Sequence, residues 1–208
     1  NRLIAGSIRP VLFERLVRAE ARSDSGLVVV RALLFTAPIV IPGAAWGVLE
    51  SQTLAVLMLG PDWTEAGPYL ALTILAATPA VISSWADRLF DLHGRQRLLL
   101  VMGFGLLLTY ALVLFTASWV GIGALGLVAF HAAIMILYQC MWMFVVLKIC
   151  AVERRSILQF VTTTVLVAIA SILAVVLGQQ FAGFGGATLT VGLVYFVVGT
   201  FLLRRAAT

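Results

Sequence analysis

The groups able to do chemistry in this 208-residue chain are few. Histidine occurs twice, as His93 and His131, and cysteine twice, as Cys140 and Cys150. No serine elbow has a histidine deeper in the chain, no aspartates are paired at protease spacing, and no His/Glu cluster has metal-ligand spacing. His93 falls in a loop and His131 stands alone in an apolar run, so neither has the partner that acid–base or ligand work requires. The two cysteines sit on or beside one helix, roughly 15 Å apart along its axis, too far for a disulfide. They read as packing residues. The chain is therefore read as no enzyme, with no metal and no cofactor.

What remains is binding chemistry, carried by two stripes. Thr73, Ala76, Ala77, Ala80, Ser84, Asp87 and Asp91 recur at three- and four-residue steps, which places them on one helical face with Trp85 pointing away. Charged groups at membrane depth face a bundle interior or an aqueous cavity, so Asp87, Arg88 and Asp91 mark a candidate polar cavity. The alternative is that both aspartates sit at the headgroup boundary and pair with Arg88 or Arg95. In the second stripe His131, Met135, Tyr138 and Trp142 share a face, with Gln139 beside it. Aromatic faces stack on sugar rings, and His and Gln donate to hydroxyls or phosphates; packing against a neighbouring helix is the other reading. Thr164, Ala168 and Ser171 align further on, as do Thr188, Gly192, Tyr195 and Gly199. Small residues at such spacing let helices approach closely in lipid.

These faces need helices, and the helices need a membrane. Hydrophobic residues make up 62% of the chain and charged residues 11%, against roughly 45–50% and 25% in soluble domains; the mean hydropathy is +1.09. A bilayer core asks for around 20 apolar residues per helix. Helices are expected over 26–49, 66–90, 98–118, 124–148, 156–178 and 186–203. Gly121-Ile122-Gly123 breaks the long uncharged run from Leu98 to Leu147, and the glycine-rich run Gly178–Gly186 breaks the last one. The prediction is an all-α polytopic protein with six crossings. Pro38, Pro42 and Pro79 lie inside helices, each removing a backbone hydrogen bond and tending to kink its helix, as a transporter with alternating access would use.

All fourteen Lys and Arg residues fall in Arg2–Arg31, Arg88–Arg97, Lys148–Arg155 and Arg204–Arg205, leaving every second connection without any. Basic residues stay on the cytoplasmic side, which predicts that both termini are cytoplasmic. The net charge of +5 is thus explained by anionic lipid headgroups, and nucleic acid is not expected as a partner. Residues 1–25 read as a cytoplasmic linker in which Arg9–Arg22, with Pro10 at a helix start and Leu12, Leu16 and Ala19 on one face, forms an amphipathic helix on the membrane surface or a solvated linker. The chain does not open on methionine, and the expectation is a carboxyl-terminal or internal piece of a longer protein.

One segment carries a pattern beyond composition. The apolar run Leu54–Leu59 leads into Gly60-Pro61-Asp62-Trp63 and Ala66, and the following helix exits through Leu92-His93-Gly94-Arg95. Thr53–Leu59 is too short to span and is expected to lie in the interface, Gly60-Pro61 turns the chain, and Trp63 and Tyr69 fall at headgroup level. Glu50, Ser51 and Gln52 are expected at the outer surface. In this pattern, with Gly60, Trp63, Ala66, Gly94 and Arg95 as the matched positions, the chain resembles the carboxyl-terminal half of polysaccharide biosynthesis proteins, the lipid-linked oligosaccharide flippases of the multidrug/oligosaccharidyl-lipid/polysaccharide exporter superfamily.

The resemblance implies one lobe of a two-lobe transporter in the bacterial cytoplasmic (inner) membrane. Its partners would be an amino-terminal six-helix lobe, membrane lipids and the lipid-linked oligosaccharide substrate of surface polysaccharide, O-antigen or exopolysaccharide assembly. It implies Arg88 as the residue for the anionic diphosphate, with Asp87, His131, Tyr138, Gln139 and Trp142 as sugar contacts. A drug or lipid exporter of the same superfamily and a non-transporting six-helix membrane subunit are the alternatives. Drug exporters there often carry a coupling carboxylate within the membrane, and no acidic residue of this chain is expected so deep.

Overall fold

The computed structural model describes the backbone of residues 25–206 and the side chains of 25–180, 183–195 and 197. The linker at 1–24, with its expected amphipathic helix, lies outside the described residues. Among those described, every element is helical. In chain order they are α1 (Ser25–Leu49), α2 (Ser51–Leu59), a 3-10 turn (Pro61–Ala66), α3 (Gly67–Ser83), α4 (Asp87–Leu92), α5 (Gln96–Val120) and α6 (Ala124–Ile149). A final helical run covers Arg154–Ala206. Among the described residues five stretches are long and apolar enough to cross a membrane: Ser25–Leu49, Pro61–Ser83, Gln96–Val120, Ala124–Ile149 and Arg154–Gln180. The protein is a multi-pass membrane protein.

The last run doubles back. Gly183 has φ +59, and a Cβ placed on Gly178 would meet the Gly186 carbonyl at 2.7 Å and the Ala187 nitrogen at 2.8 Å. In a straight helix those residues would stand about 12 Å apart. The run is therefore a hairpin of α7 (Arg154–Gln180) and an arm, α8, that starts at Gly183 and has Gly183–Tyr195 as an apolar helix. Val175, Ala187 and Val191 are buried together between the arms, with Trp46 of α1 against them. The face predicted to pack on this arm is used only in part: Tyr195 lies against Gly43 of α1, whereas Thr188 and Gly192 are exposed and nothing stands within 4 Å of Gly192. On α7 the predicted stripe faces inward, with Thr164 and Ala168 half-buried and Ser171 fully enclosed, its hydroxyl donating to the Val167 carbonyl at 2.6 Å.

Across the bundle α5 packs on α6, α6 on α3, α3 on α1, and α1 on the α7–α8 hairpin. The main core gathers at the end carrying the basic loops. Val29, Leu33 and Ala37 of α1 meet Leu89 and Phe90 of α4, Met102 of α5 and Trp142 and Val146 of α6. The Phe90 and Trp142 rings lie 4.6 Å apart. By contrast α5 exposes Leu100, Leu107, Leu108 and Leu112, the surface that a helix at the lipid boundary presents.

The helix predicted over 66–90 is interrupted at residues 84–86, a turn beyond Pro79. This corrects the first stripe. The stripe is divided between α3 and α4 and is not uniform: Thr73 and Asp91 are exposed, Ala76 is buried, and Ala77, Ala80, Ser84 and Asp87 are half-buried. Trp85, predicted to point away, is buried with Ile82, Ala86, Leu89 and Phe90. Its Nε1 donates to the Ile82 carbonyl at 2.8 Å. Pro38 and Pro42 stay within one helix, and lacking N–H groups they leave the Leu34 and Pro38 carbonyls without their intrahelical donors.

The turn pattern has a physical basis. After the short helix α2, Gly60 has φ +105, the left-handed region open to glycine. The 3-10 turn then returns the chain until Gly67 lies against the Gln52 backbone, where a Cβ would stand 2.8 Å from Gln52 Cα. Leu57, Met58, Leu59 and Trp63 are exposed on this small hairpin, an apolar tip suited to the interface. Gly94 has φ +63 and closes α4 in a Schellman cap, with the Arg95 N–H donating to the Phe90 carbonyl at 2.7 Å.

Candidate functional site

Arg88 lies in the first turn of α4. Its backbone N–H donates to Asp87 Oδ1 at 3.0 Å, and its guanidinium Nη1 lies 3.5 Å from Asp91 Oδ2. These side chains are 59% and 41% exposed, so the pair contributes at most about 1 kcal/mol. Weak internal pairing leaves the guanidinium reachable by an anionic group from outside the bundle. Asp87 at the helix start is favoured by the positive end of the helix dipole.

The candidates on α6 do not form one surface. His131 is exposed, and its ring stacks on Tyr110 of α5 at 5.3 Å. Gln139 reaches α3 instead: the Ser83 hydroxyl donates to Gln139 Oε1 at 2.8 Å, a polar tie between helices that lipid would not supply. Trp142 is only 8% exposed, held against Phe90 and, at 6.1 Å, Tyr138. Of the two readings of this stripe, packing accounts for Trp142 and part of Tyr138. The contacts draw the six candidates into separate groups: Asp87 and Arg88 on α4, Gln139 on Ser83, His131 on Tyr110, and Tyr138 with Trp142 on Phe90. His131 and Arg88 remain the most accessible of them.

Glu50 differs from expectation. Placed at the outer surface by its position at the end of α1, it is 4% exposed and accepts a 2.7 Å hydrogen bond from Gln179 Nε2 at the end of α7. A carboxylate at a helix end is enclosed here because the hairpin folds over it. The sequence held a signal: both residues fall in connections without basic residues, which are expected on the same side of a membrane. We expect Glu50→Ala to cost on the order of 1–3 kcal/mol by leaving the Gln179 amide unpartnered, seen as earlier loss of the monodisperse peak when the detergent-purified protein is heated. Glu50→Gln, which keeps an acceptor, should lose less.

Among the described residues no group of three His, Cys, Asp or Glu side chains comes together. No protein-family model, no curated protein and no solved structure matches the chain.

Proposed function

We propose that this chain is one lobe of a bacterial inner-membrane flippase that moves a polyprenyl-diphosphate-linked oligosaccharide from the inner to the outer leaflet for surface polysaccharide assembly. The observation that carries the reading is the pattern Gly60-Pro61-Asp62-Trp63…Ala66 with its Gly94-Arg95 exit. It frames a short interfacial helix, a return turn and a helix interrupted beside Ser83–Gln139. In this reading the α8 arm, whose helical backbone runs to Ala206, is the sixth crossing. The four basic clusters then lie in the cytoplasm and the Gly60–Trp63 turn outside. Arg88, exposed at the cytoplasmic end, meets the diphosphate through charge-assisted hydrogen bonds; His131 and Gln139 are the polar contacts for sugar. The lipid tail stays in the bilayer along the apolar outer faces.

Arg88→Ala in the full-length protein should leave the amount of membrane-inserted protein unchanged, because its ion pair is exposed. Surface polysaccharide should fall several-fold, measured by extraction and sugar analysis; wild-type polymer would remove Arg88 from the site.

The buried Glu50 favours a second reading, a cation-coupled drug exporter of the same superfamily. Glu50→Gln would then abolish resistance to exported compounds while leaving surface polysaccharide untouched.

A further inference from the structure

At the end of the bundle that carries the basic loops, the turn after α4, the start of α5 and the last turns of α6 line an open cavity of about 440 Å³. Among the described residues its walls are His93, Arg95, Leu98, Val145, Lys148 and Ile149. Half of these can carry positive charge, half are aliphatic, and none is acidic. Arg95 and Lys148 are exposed and have no carboxylate partner among the described residues. Lys148 rests over the Phe144 ring, Nζ 5.7 Å from its centre. His93 is fixed by Nδ1, 2.9 Å from the Leu89 carbonyl; a carbonyl only accepts, so Nδ1 donates. The Gly94 cap holds Arg95 in place beside it.

A cavity with cations at its mouth and aliphatic side chains on its walls suits one chemistry, a phosphate on a hydrocarbon stem. A soluble anion has no use for Leu98, Val145 and Ile149, and those residues continue onto the exposed faces of α5 and α6 at Val101 and Phe144. Basic pockets between helices at the cytoplasmic side of a membrane bind anionic headgroups, and the guanidinium fork and the ammonium of Lys both complement phosphate oxygens. We infer that this cavity holds the headgroup of an anionic phospholipid, its phosphate between Arg95 and Lys148 and its acyl chains along α5 and α6. This bound lipid is separate from any transported substrate and does not depend on what that substrate is.

The test is native mass spectrometry of the full-length, delipidated protein titrated with phosphatidylglycerol, phosphatidylcholine, polyprenyl diphosphate or inorganic phosphate. Phosphatidylglycerol should bind well above phosphatidylcholine. Lys148→Gln should weaken it about five-fold, and Arg95→Gln with Lys148→Gln roughly 25-fold, from the usual contribution of each cation near anionic lipid. Arg154→Gln, an exposed cation on α7, should change nothing. Equal binding of the two phospholipids, an unaltered double variant, or the same loss in Arg154→Gln would overturn the site. So would displacement of phosphatidylglycerol by equimolar inorganic phosphate, which would mark a soluble-anion site. Displacement by equimolar polyprenyl diphosphate would equally overturn it, making the cavity a loading point for a transported lipid.

Discussion

Trp142→Ala is expected to lower the midpoint of thermal unfolding in detergent by roughly 10 °C, corresponding to about 3 kcal/mol in a chain of this size. Trp142 is buried at the centre of the largest core, where Phe90 of α4 and Tyr138 of its own helix pack on it. In water, Trp→Ala substitutions cost about 3–5 kcal/mol, part of it transfer from solvent. Within a bilayer that part is smaller, because lipid tails are as apolar as the core, and the loss of close contacts dominates. Hence the lower end of the range. The control is Trp119→Ala: Trp119 is 80% exposed, and its removal should leave the midpoint within about 2 °C. Equal losses in the two variants would mean that Trp142 is not a packing centre.

Gly178→Leu should be at least as damaging, with a cost of about 3 kcal/mol or more and a drop in the yield of folded protein. Even a single Cβ at this position would stand 2.6 Å from Thr190 Oγ1, 2.7 Å from the Gly186 carbonyl and 2.8 Å from the Ala187 nitrogen. Two of those atoms are backbone, so no side-chain rotation relieves the clash, and the α7–α8 hairpin must open. Overpacking in cores costs about 1–3 kcal/mol when side chains yield; here the backbone itself has to move. Opening the hairpin also uncovers Glu50 and Gln179. Gly192→Leu is the matched control, because nothing lies within 4 Å of Gly192. Limited proteolysis between the two arms should separate the variants, with Gly178→Leu cut readily and Gly192→Leu resistant.

These two substitutions show where sequence reasoning reached and where it stopped. The all-α class follows from apolar runs of bilayer length, and the long uncharged stretches could only be resolved by turning at their glycines. The chain does turn at Gly121 and around Gly183, because φ above zero is open to glycine. The end of α6 was reached within a residue, 148 against Ile149, from the charged run beginning at Lys148, although Ala151 takes φ 49 without a glycine to announce it. The same logic missed the interruption at 84–86, since Ser84, Trp85 and Ala86 contain neither proline nor glycine. Helical spacing groups residues onto a face but does not say what the face meets. Trp142 and His131 share a predicted stripe, yet one is enclosed by α4 and the other lies open beside Tyr110. Glu50 meets Gln179, and Lys148 lines one cavity with His93 and Arg95, residues from distant parts of the chain in both cases. Neither pairing can be read from local spacing. Arg88 pairs with Asp91, the arrangement that the three-residue spacing on one helix allows.

The proposed flipping of lipid-linked sugar is tested by reconstitution. Full-length protein is incorporated into liposomes carrying a fluorescent polyprenyl-diphosphate oligosaccharide in both leaflets, and a membrane-impermeant reductant is added outside. Without movement between leaflets, about half of the fluorescence is protected. Wild-type protein should carry the protected half outward, so that quenching approaches completion, and Arg88→Ala should slow this several-fold. Protection that stays at half, as in protein-free liposomes, would contradict the proposal.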